Sequence, residues 1–115
     1  MVESFAARAG LDAAVAGRLT LVLEELFTNT VRHGYRGAEG GVRLRLGARA
    51  GGVRVIYEDT APPFDTSAAA PDPAAAVAAG RVGGMGLSLV QHLAVNLRYA
   101  RRGNANRTMF MLRLR

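Results

Sequence analysis

Apolar residues recur at helical spacing through the first third of the chain. This pattern predicts one long helix over about residues 13–33, preceded by a shorter helix over about residues 3–9. With 3.6 residues per turn, one stripe of the long helix faces a core, and it is formed by Leu19, Val22, Leu23, Leu26, Phe27 and Thr30.

Alternation of apolar and polar residues replaces this pattern downstream. Residues 42–46 and 53–57 alternate, and the turn-forming stretch 49–52 joins them, which predicts a β-hairpin. An apolar helix over about residues 87–95 and strands over about 97–100 and 108–114 follow. We therefore predict a single domain over residues 1–115, an α/β fold of the two-layer sandwich type. Its helices cover one face of a mixed, mostly antiparallel sheet.

A row of polar residues runs along one flank of the long helix. Glu25, Asn29 and His33 are successive i, i+4 neighbours beside the apolar stripe, whereas Glu24 lies on the other flank. Half-buried polar groups without partners are costly, so this row is suited to binding a ligand. The structural alternatives are an ordinary helix edge, whose amide is satisfied by a neighbouring turn, and a core histidine bonded to backbone.

Two further polar stretches carry candidate chemistry. Asp59 ends the second strand just before Pro62 and Pro63, where it serves either as an Asx-turn residue or as an acceptor for an exocyclic amine such as that of adenine. Glycines within residues 83–86 directly precede the apolar helix, so backbone N–H groups can approach an anion there; a plain turn is the alternative. This stretch is not a dinucleotide-binding fingerprint, because the third glycine is absent and no strand closely precedes it, and it is not a P-loop, because the chain contains no lysine.

Taken in order, these three stretches resemble the ATP-binding domain of the GHKL superfamily, which includes histidine-kinase catalytic domains, type II topoisomerases and mismatch-repair ATPases. Residues 25–33 are similar to the N-box, residues 59–65 to the G1 box and residues 84–87 to the G2 box. The resemblance spans roughly residues 10–115 and implies the Bergerat ATP-binding fold. Only the Ala- and Pro-rich stretch 66–82, predicted as a mobile lid, separates the last two boxes, which favours the anti-sigma factor serine kinases.

The resemblance implies a role for each matching residue. Glu25 is expected to act as general base toward the attacking hydroxyl, Asn29 to ligate Mg²⁺, and Asp59 to bind the adenine amino group. The remaining nucleotide contacts are expected at Ala61, Pro63, Gly84, Gly86, Leu87 and Thr108. Thr108 matches the position that helps to hold a water at the adenine site. Ala61 and the prolines after it stand where many members have a glycine.

By the same resemblance, we expect an ATP- and Mg²⁺-dependent protein serine/threonine kinase. It phosphorylates a serine on an anti-anti-sigma (STAS-domain) protein and also binds a sigma factor. The alternatives are a non-catalytic regulator that uses ATP to order its lid and choose a partner, and a basic nucleic-acid-binding module. Stand-alone members begin with a strand that this chain lacks, so we expect an open sheet edge and a homodimer.

Composition limits the expected location of the protein and the classes of partner that it can bind. Its 115 residues include no cysteine and no apolar run long enough to span a bilayer, so we expect a cytoplasmic protein without disulfides or membrane contact. The formal net charge is +6, all from arginine. Such basicity suits an acidic partner, nucleic acid or ATP, yet arginine without lysine is also typical of a GC-rich genome. Few aromatic residues accompany the arginines, so no direct nucleic-acid partner is expected.

Overall fold

The computed structural model describes residues 2–35, 40–68 and 85–114. Its elements follow the order α1 (Val2–Ala9), α2 (Ala13–Asn29), a π-helical segment (Thr30–Tyr35), β1 (Val42–Arg49), β2 (Gly52–Asp59), α3 (Met85–Leu93), β3 (Ala94–Arg102) and β4 (Ala105–Arg113). The predicted helices, the hairpin and the final pair of strands are all present. Within the described ranges, no helix is long and apolar enough to cross a membrane.

The long helix α2 begins at a side-chain cap and buries one stripe. The carboxylate of Asp12 accepts a hydrogen bond from the backbone N–H of Val15 at 2.9 Å, which satisfies one of the donors left open at a helix start. Leu19, Val22 and Leu26 are buried, as the helical spacing predicts. The helix therefore presents this stripe to the sheet.

The prediction that Phe27 belongs to this stripe is wrong. Its side chain is 53 % exposed. At about 100° per residue, Phe27 lies a further step round the helix from Leu26, at the margin of the stripe, where the side chain is left exposed. The chain continues past Asn29 as the π-helical segment, so the predicted helical span to residue 33 holds while the hydrogen-bond pattern changes on the way.

The sheet has the strand order β1-β2-β4-β3, and each neighbouring pair is antiparallel. The hairpins turn at Gly51 and Gly103, whose φ angles of 78° and 60° lie in the left-handed region that glycine tolerates. The predicted two-layer α/β sandwich is confirmed, with antiparallel pairing throughout the described strands. β1 and β3 form the edges, and no strand precedes β1 in the described part of the chain.

One face of the sheet carries the core. Alternate residues of the two central strands and the buried stripe of the helices form one cluster, made of Val15, Leu19, Val22, Leu26, Val53, Val55, Tyr57, Val90, Phe110 and Leu112. The same register continues beyond the apolar residues, and it places Asp59 of β2 opposite Asn106 of β4. The core therefore holds these two polar side chains at one end of the sheet.

The chain passes from α3 into β3 without a loop. The strand begins at Ala94, three residues before the predicted start at residue 97. Asn96, with a φ of 55°, lies in an irregularity of the pairing between Val95 and Arg98. A bulge of this kind bends the strand while the register with β4 is kept on either side. It also interrupts the alternation of apolar and polar residues, which is why the pattern predicts a shorter strand.

Leu19→Ala should lower the free energy of unfolding by about 2–5 kcal/mol, because the side chain is fully buried and its loss leaves a cavity. Leu21→Ala is the matched control, two residues along the same helix. Since Leu21 is 39 % exposed, its replacement should cost less than about 1 kcal/mol. Urea unfolding followed by circular dichroism measures both. Equal losses would contradict the assigned core face of α2.

Candidate functional site

A small pocket lies where the end of α2 meets the end of β2. Asn29 and Thr30 line it from the helical side. Asp59 and Ala61 line it from the end of β2 and the loop that follows, and Thr108 lines it from β4. Residues that are far apart in sequence therefore meet at the polar end of the core.

The carboxylate of Asp59 is held by three donors. Its Oδ2 accepts a hydrogen bond from the Thr30 hydroxyl at 2.8 Å. Its Oδ1 accepts from the Asn106 amide at 2.9 Å and from the backbone N–H of Ala61 at 3.2 Å. A carboxylate has about four acceptor positions, so the donors among the described residues leave one position, on Oδ2. Because Asp59 lines the pocket, this position is available to a donor bound there.

A second hydroxyl group supports the first of these donors. The Tyr57 hydroxyl lies 2.8 Å from Thr30 Oγ1. Thr30 gives its one hydrogen to Asp59, so Tyr57 must donate to Thr30. The hydrogen bonds therefore run from Tyr57 to Thr30 and from Thr30 to Asp59. Burial raises the pKa of Tyr57 to about 12; the hydrogen bond with Thr30 opposes this shift and the charge of Asp59 adds to it. Tyr57 is therefore a neutral donor at physiological pH.

Asn106 joins β4 to the loop after β2. Its side chain is buried, and its Nδ2 donates to Asp59 and to two backbone carbonyls of the loop, each at 3.0 Å. Its Oδ1 accepts from the backbone N–H of Phe64 at 3.2 Å and from the Tyr99 hydroxyl. One amide thus fixes residues 61–64 of the loop that follows β2, and it orients the Asp59 carboxylate at the same time.

The loop also closes the pocket. The hydroxyl oxygens of Thr66 and Thr108 are 2.6 Å apart, and both residues are buried. Only about 20 Å³ of the pocket is open to water, which is room for a single water molecule. A purine base is much larger. Its entry therefore requires residues that line the pocket to move apart.

Gly34 allows close contact between the π-helical segment and the loop. A Cβ added at Gly34 would lie 2.7 Å from the Cβ of Ala61, closer than real Cβ contacts. The next residue, Tyr35, fixes the same contact, because its hydroxyl accepts a hydrogen bond from the backbone N–H of Thr60 at 2.9 Å. The end of the long helix and the residues after β2 are therefore packed as one unit.

The pocket brings together some of the site residues that the sequence predicts. The four that line it are Asn29, Asp59, Ala61 and Thr108. Glu25 is half-buried one turn before Asn29, on the same flank, and does not line the pocket; Glu24 is exposed. Pro63 lies exposed on the loop.

Only part of the predicted G2 box can be placed relative to this pocket. Gly86 and Leu87 are in the first turn of α3, and Leu87 does not line the pocket. Gly84 and most of the predicted lid, residues 69–82, fall outside the described residues. The same applies to the side chain of His33. The phosphate-binding role of this box stays a prediction.

Three residues on which the pocket depends do not follow from the motifs in the sequence: Thr30, Tyr57 and Asn106. The helical spacing predicts Thr30 only as part of the buried stripe. For Asn106 a signal was available, because it continues the inward alternation of Thr108 and Phe110, and a buried amide needs hydrogen-bond partners. Its specific partner, Asp59, follows only from the pairing register of β2 with β4.

The chemistry of the pocket suits an adenine nucleotide and, at one position, its metal ion. Asp59 retains an acceptor for a base amine, and Asn29 offers an amide oxygen, a ligand type that Mg²⁺ accepts. Across the described residues, no group of three or more His, Cys, Asp or Glu side chains is placed to hold a metal. A magnesium ion here would therefore depend on Asn29 and on phosphate oxygens.

The fold is a two-layer α/β domain with a polar pocket at one end of its sheet. The sequence also matches the family model of the histidine kinase-like ATPase domain over residues 1–113. The chain therefore belongs to the histidine kinase-like ATPase domain family, and it is an ATP-binding, kinase-like domain of the GHKL type. No curated protein matches the chain.

Gly34→Ala should disturb the pocket, because the new Cβ forces Ala61 and the loop away from the helix end. We expect a loss of about 1–3 kcal/mol in the free energy of unfolding and weaker ADP binding. Gly17→Ala is the control: nothing lies within 4 Å of its added Cβ. That variant should gain about 0.5–1 kcal/mol from helix propensity and bind ADP unchanged. Urea unfolding and calorimetric titration measure both quantities, and unchanged ADP binding in Gly34→Ala would refute the close-contact argument.

Proposed function

We propose that this domain is an ATP- and Mg²⁺-dependent protein serine/threonine kinase of the anti-sigma type, acting in the cytoplasm. Its substrate is a serine on an anti-anti-sigma STAS-domain protein, and a sigma factor is its other partner. Family membership, the order of the three sequence boxes and the pocket at Asp59 support this proposal. Phosphorylation adds negative charge to the partner's surface and so changes which complex forms.

The observation that carries the nucleotide part of the proposal is the remaining acceptor position of Asp59. Three donors fix the orientation of this carboxylate, and its Oδ2 keeps one open acceptor position at the pocket. The exocyclic amine of adenine is a donor and fits that position. A base with a carbonyl oxygen there would place an acceptor against a carboxylate. The hydrogen-bond pattern therefore favours an adenine nucleotide.

Asn29 and Glu25 supply the chemistry in this proposal. Magnesium, when bound, neutralises charge on the phosphates of ATP. Asn29 offers its amide oxygen to the metal from the pocket wall. Glu25 lies about 6 Å earlier along the helix axis, and no hydrogen bond joins its carboxylate to another described residue. As the serine oxygen bonds to the γ-phosphorus and ADP leaves, Glu25 takes the hydroxyl proton.

A specific contact favours the alternative, a non-catalytic regulator that responds to nucleotide. Thr108, the expected adenine-site residue, is already bonded to Thr66 of the loop. Gln91 of α3 in turn donates to the backbone carbonyl of Thr66 at 3.0 Å. A base that opens the pocket by separating Thr66 from Thr108 displaces the first contact and shifts the second. Nucleotide binding would then change the loop and α3, with or without phosphoryl transfer.

We also propose that the domain forms a homodimer through α1 or the open edge of the sheet. Val2 and Phe5 of α1 and Leu11 after it are only partly buried against the core, so they retain apolar surface that a second copy can cover. Light scattering over a range of concentrations tests this proposal. A monomer at every concentration would refute it.

Glu25→Gln should keep nucleotide binding and slow transfer from ATP to a STAS-domain serine by about 10²- to 10⁴-fold, the range expected for a general base. Asn29→Ala should weaken Mg-ATP binding itself. Wild type and Glu25→Gln should both show a thermal shift of about 4–8 °C with Mg-ATP at a hundredfold excess over Kd. The measurements are phosphate transfer with radiolabelled ATP and thermal unfolding.

Glu24→Gln is the matched control, because Glu24 is the neighbouring glutamate and is exposed. It should transfer phosphate like the wild type. No thermal shift with Mg-ATP in the wild type or in any variant would contradict the nucleotide part of the proposal. A normal shift without transfer by the wild type to any STAS-domain protein would instead establish the non-catalytic regulator.

A further inference from the structure

The face of the sheet that points away from the helices is rich in arginine. The strand register places eight arginines on it: Arg43, Arg45, Arg49, Arg54, Arg98, Arg102, Arg107 and Arg113. All but Arg107 are exposed. Glu58 is the single acidic residue on this face among the described residues, and Arg107 neutralises it in a salt bridge of 2.9 Å. We call this surface the arginine face.

An apolar strip crosses the middle of the arginine face. In one cross-strand row, Ile56 and Met109 are neighbours, and they are flanked by Arg45 on one side and Arg98 on the other. Met111 lies next to Met109 on the same side of β4. All three apolar side chains are partly exposed. No described helix contributes to a cluster on this face, since the buried core lies wholly on the other one.

The charges are segregated between the two sides of the molecule. Away from the arginine face, the described residues include four arginines, Arg8, Arg18, Arg32 and Arg101, and six acidic residues. Codon usage in a GC-rich genome would place arginines on both sides alike. It does not explain eight arginines and one paired glutamate on one face. The segregation therefore indicates recognition of a partner.

We propose that the arginine face is a docking surface for an acidic protein whose contact patch has an apolar centre. An apolar middle containing methionine, surrounded by arginines, is the anatomy of a protein–protein interface. The arginines steer an acidic partner toward the face and the strip gives it apolar surface to bury. This proposal is independent of the kinase assignment, because the nucleotide pocket lies on the other side of the sheet.

Two other occupants fit the face less well. A second copy docked face to face would bring two sets of arginines together, which like-charge repulsion opposes. Nucleic acid would neutralise the arginines but would leave Ile56, Met109 and Met111 against phosphates. The strip offers no aromatic ring for a base to stack on and no amide or hydroxyl for a base edge.

The test uses the full chain and three labelled probes of similar negative charge. The first is a peptide that alternates glutamate with leucine, the second replaces each leucine by serine, and the third is a short DNA duplex. The variant Arg45→Glu/Arg98→Glu reverses the charges that flank Ile56 and Met109. The control Arg8→Glu/Arg32→Glu makes the same charge change at exposed positions on the helical side.

At physiological salt, fluorescence anisotropy should show the glutamate–leucine peptide binding at least about tenfold more tightly than the serine peptide. The arginine-face variant should lose this binding, and the control should keep it. The arginine-face variant should bind ADP like the wild type. Tighter binding of DNA than of the leucine peptide would overturn the proposal, and so would equal losses in variant and control. A wild-type dimer that an excess of the leucine peptide dissociates would also overturn it, in favour of a second copy on this face.

Discussion

The hydrogen bonds to the Asp59 carboxylate are the constraint on which the nucleotide side of this protein depends. They come from the helical segment through Thr30, from the loop through the N–H of Ala61, and from β4 through Asn106. A hydrogen bond to a charged group contributes about 1.5–3 kcal/mol, and losing one leaves a buried donor without its partner. The carboxylate therefore joins the helical segment, the loop and β4, and among the described residues it keeps one acceptor position for a ligand.

The same network shows how a change in the pocket reaches other elements. Asn106 connects the loop to Tyr99 on β3, and Gln91 connects the loop to α3 through the carbonyl of Thr66. A base that separates Thr66 from Thr108 acts on both connections. Because Gly86 and Leu87 of the predicted G2 box lie in the first turn of α3, Gln91 joins the loop to the helix that carries them.

Most of the fold follows from the pattern of apolar residues, whereas the pocket depends on contacts that a single sequence does not contain. The stripe of Leu19, Val22 and Leu26 and the alternation in the strands predict helices on one face of a sheet, as observed. Phe27 departs from the stripe because its position round the helix is marginal, and only tertiary packing decides its exposure. Motif resemblance located Asp59. Its partner Asn106 could not be paired with it, because the register between β2 and β4 is a property of the folded sheet.

The most direct test of the central claim compares ATP with ITP, which carries an oxygen in place of the exocyclic amine of adenine. Calorimetric titration should show wild-type protein binding ATP at least about a hundredfold more tightly than ITP, because Asp59 accepts from the amine and meets an unfavourable oxygen in ITP. Asp59→Asn should lose this preference. Asp65→Asn, an exposed position in the same loop, should keep it. Equal affinity of the wild type for the two nucleotides, or an unchanged preference in Asp59→Asn, would contradict the role of Asp59.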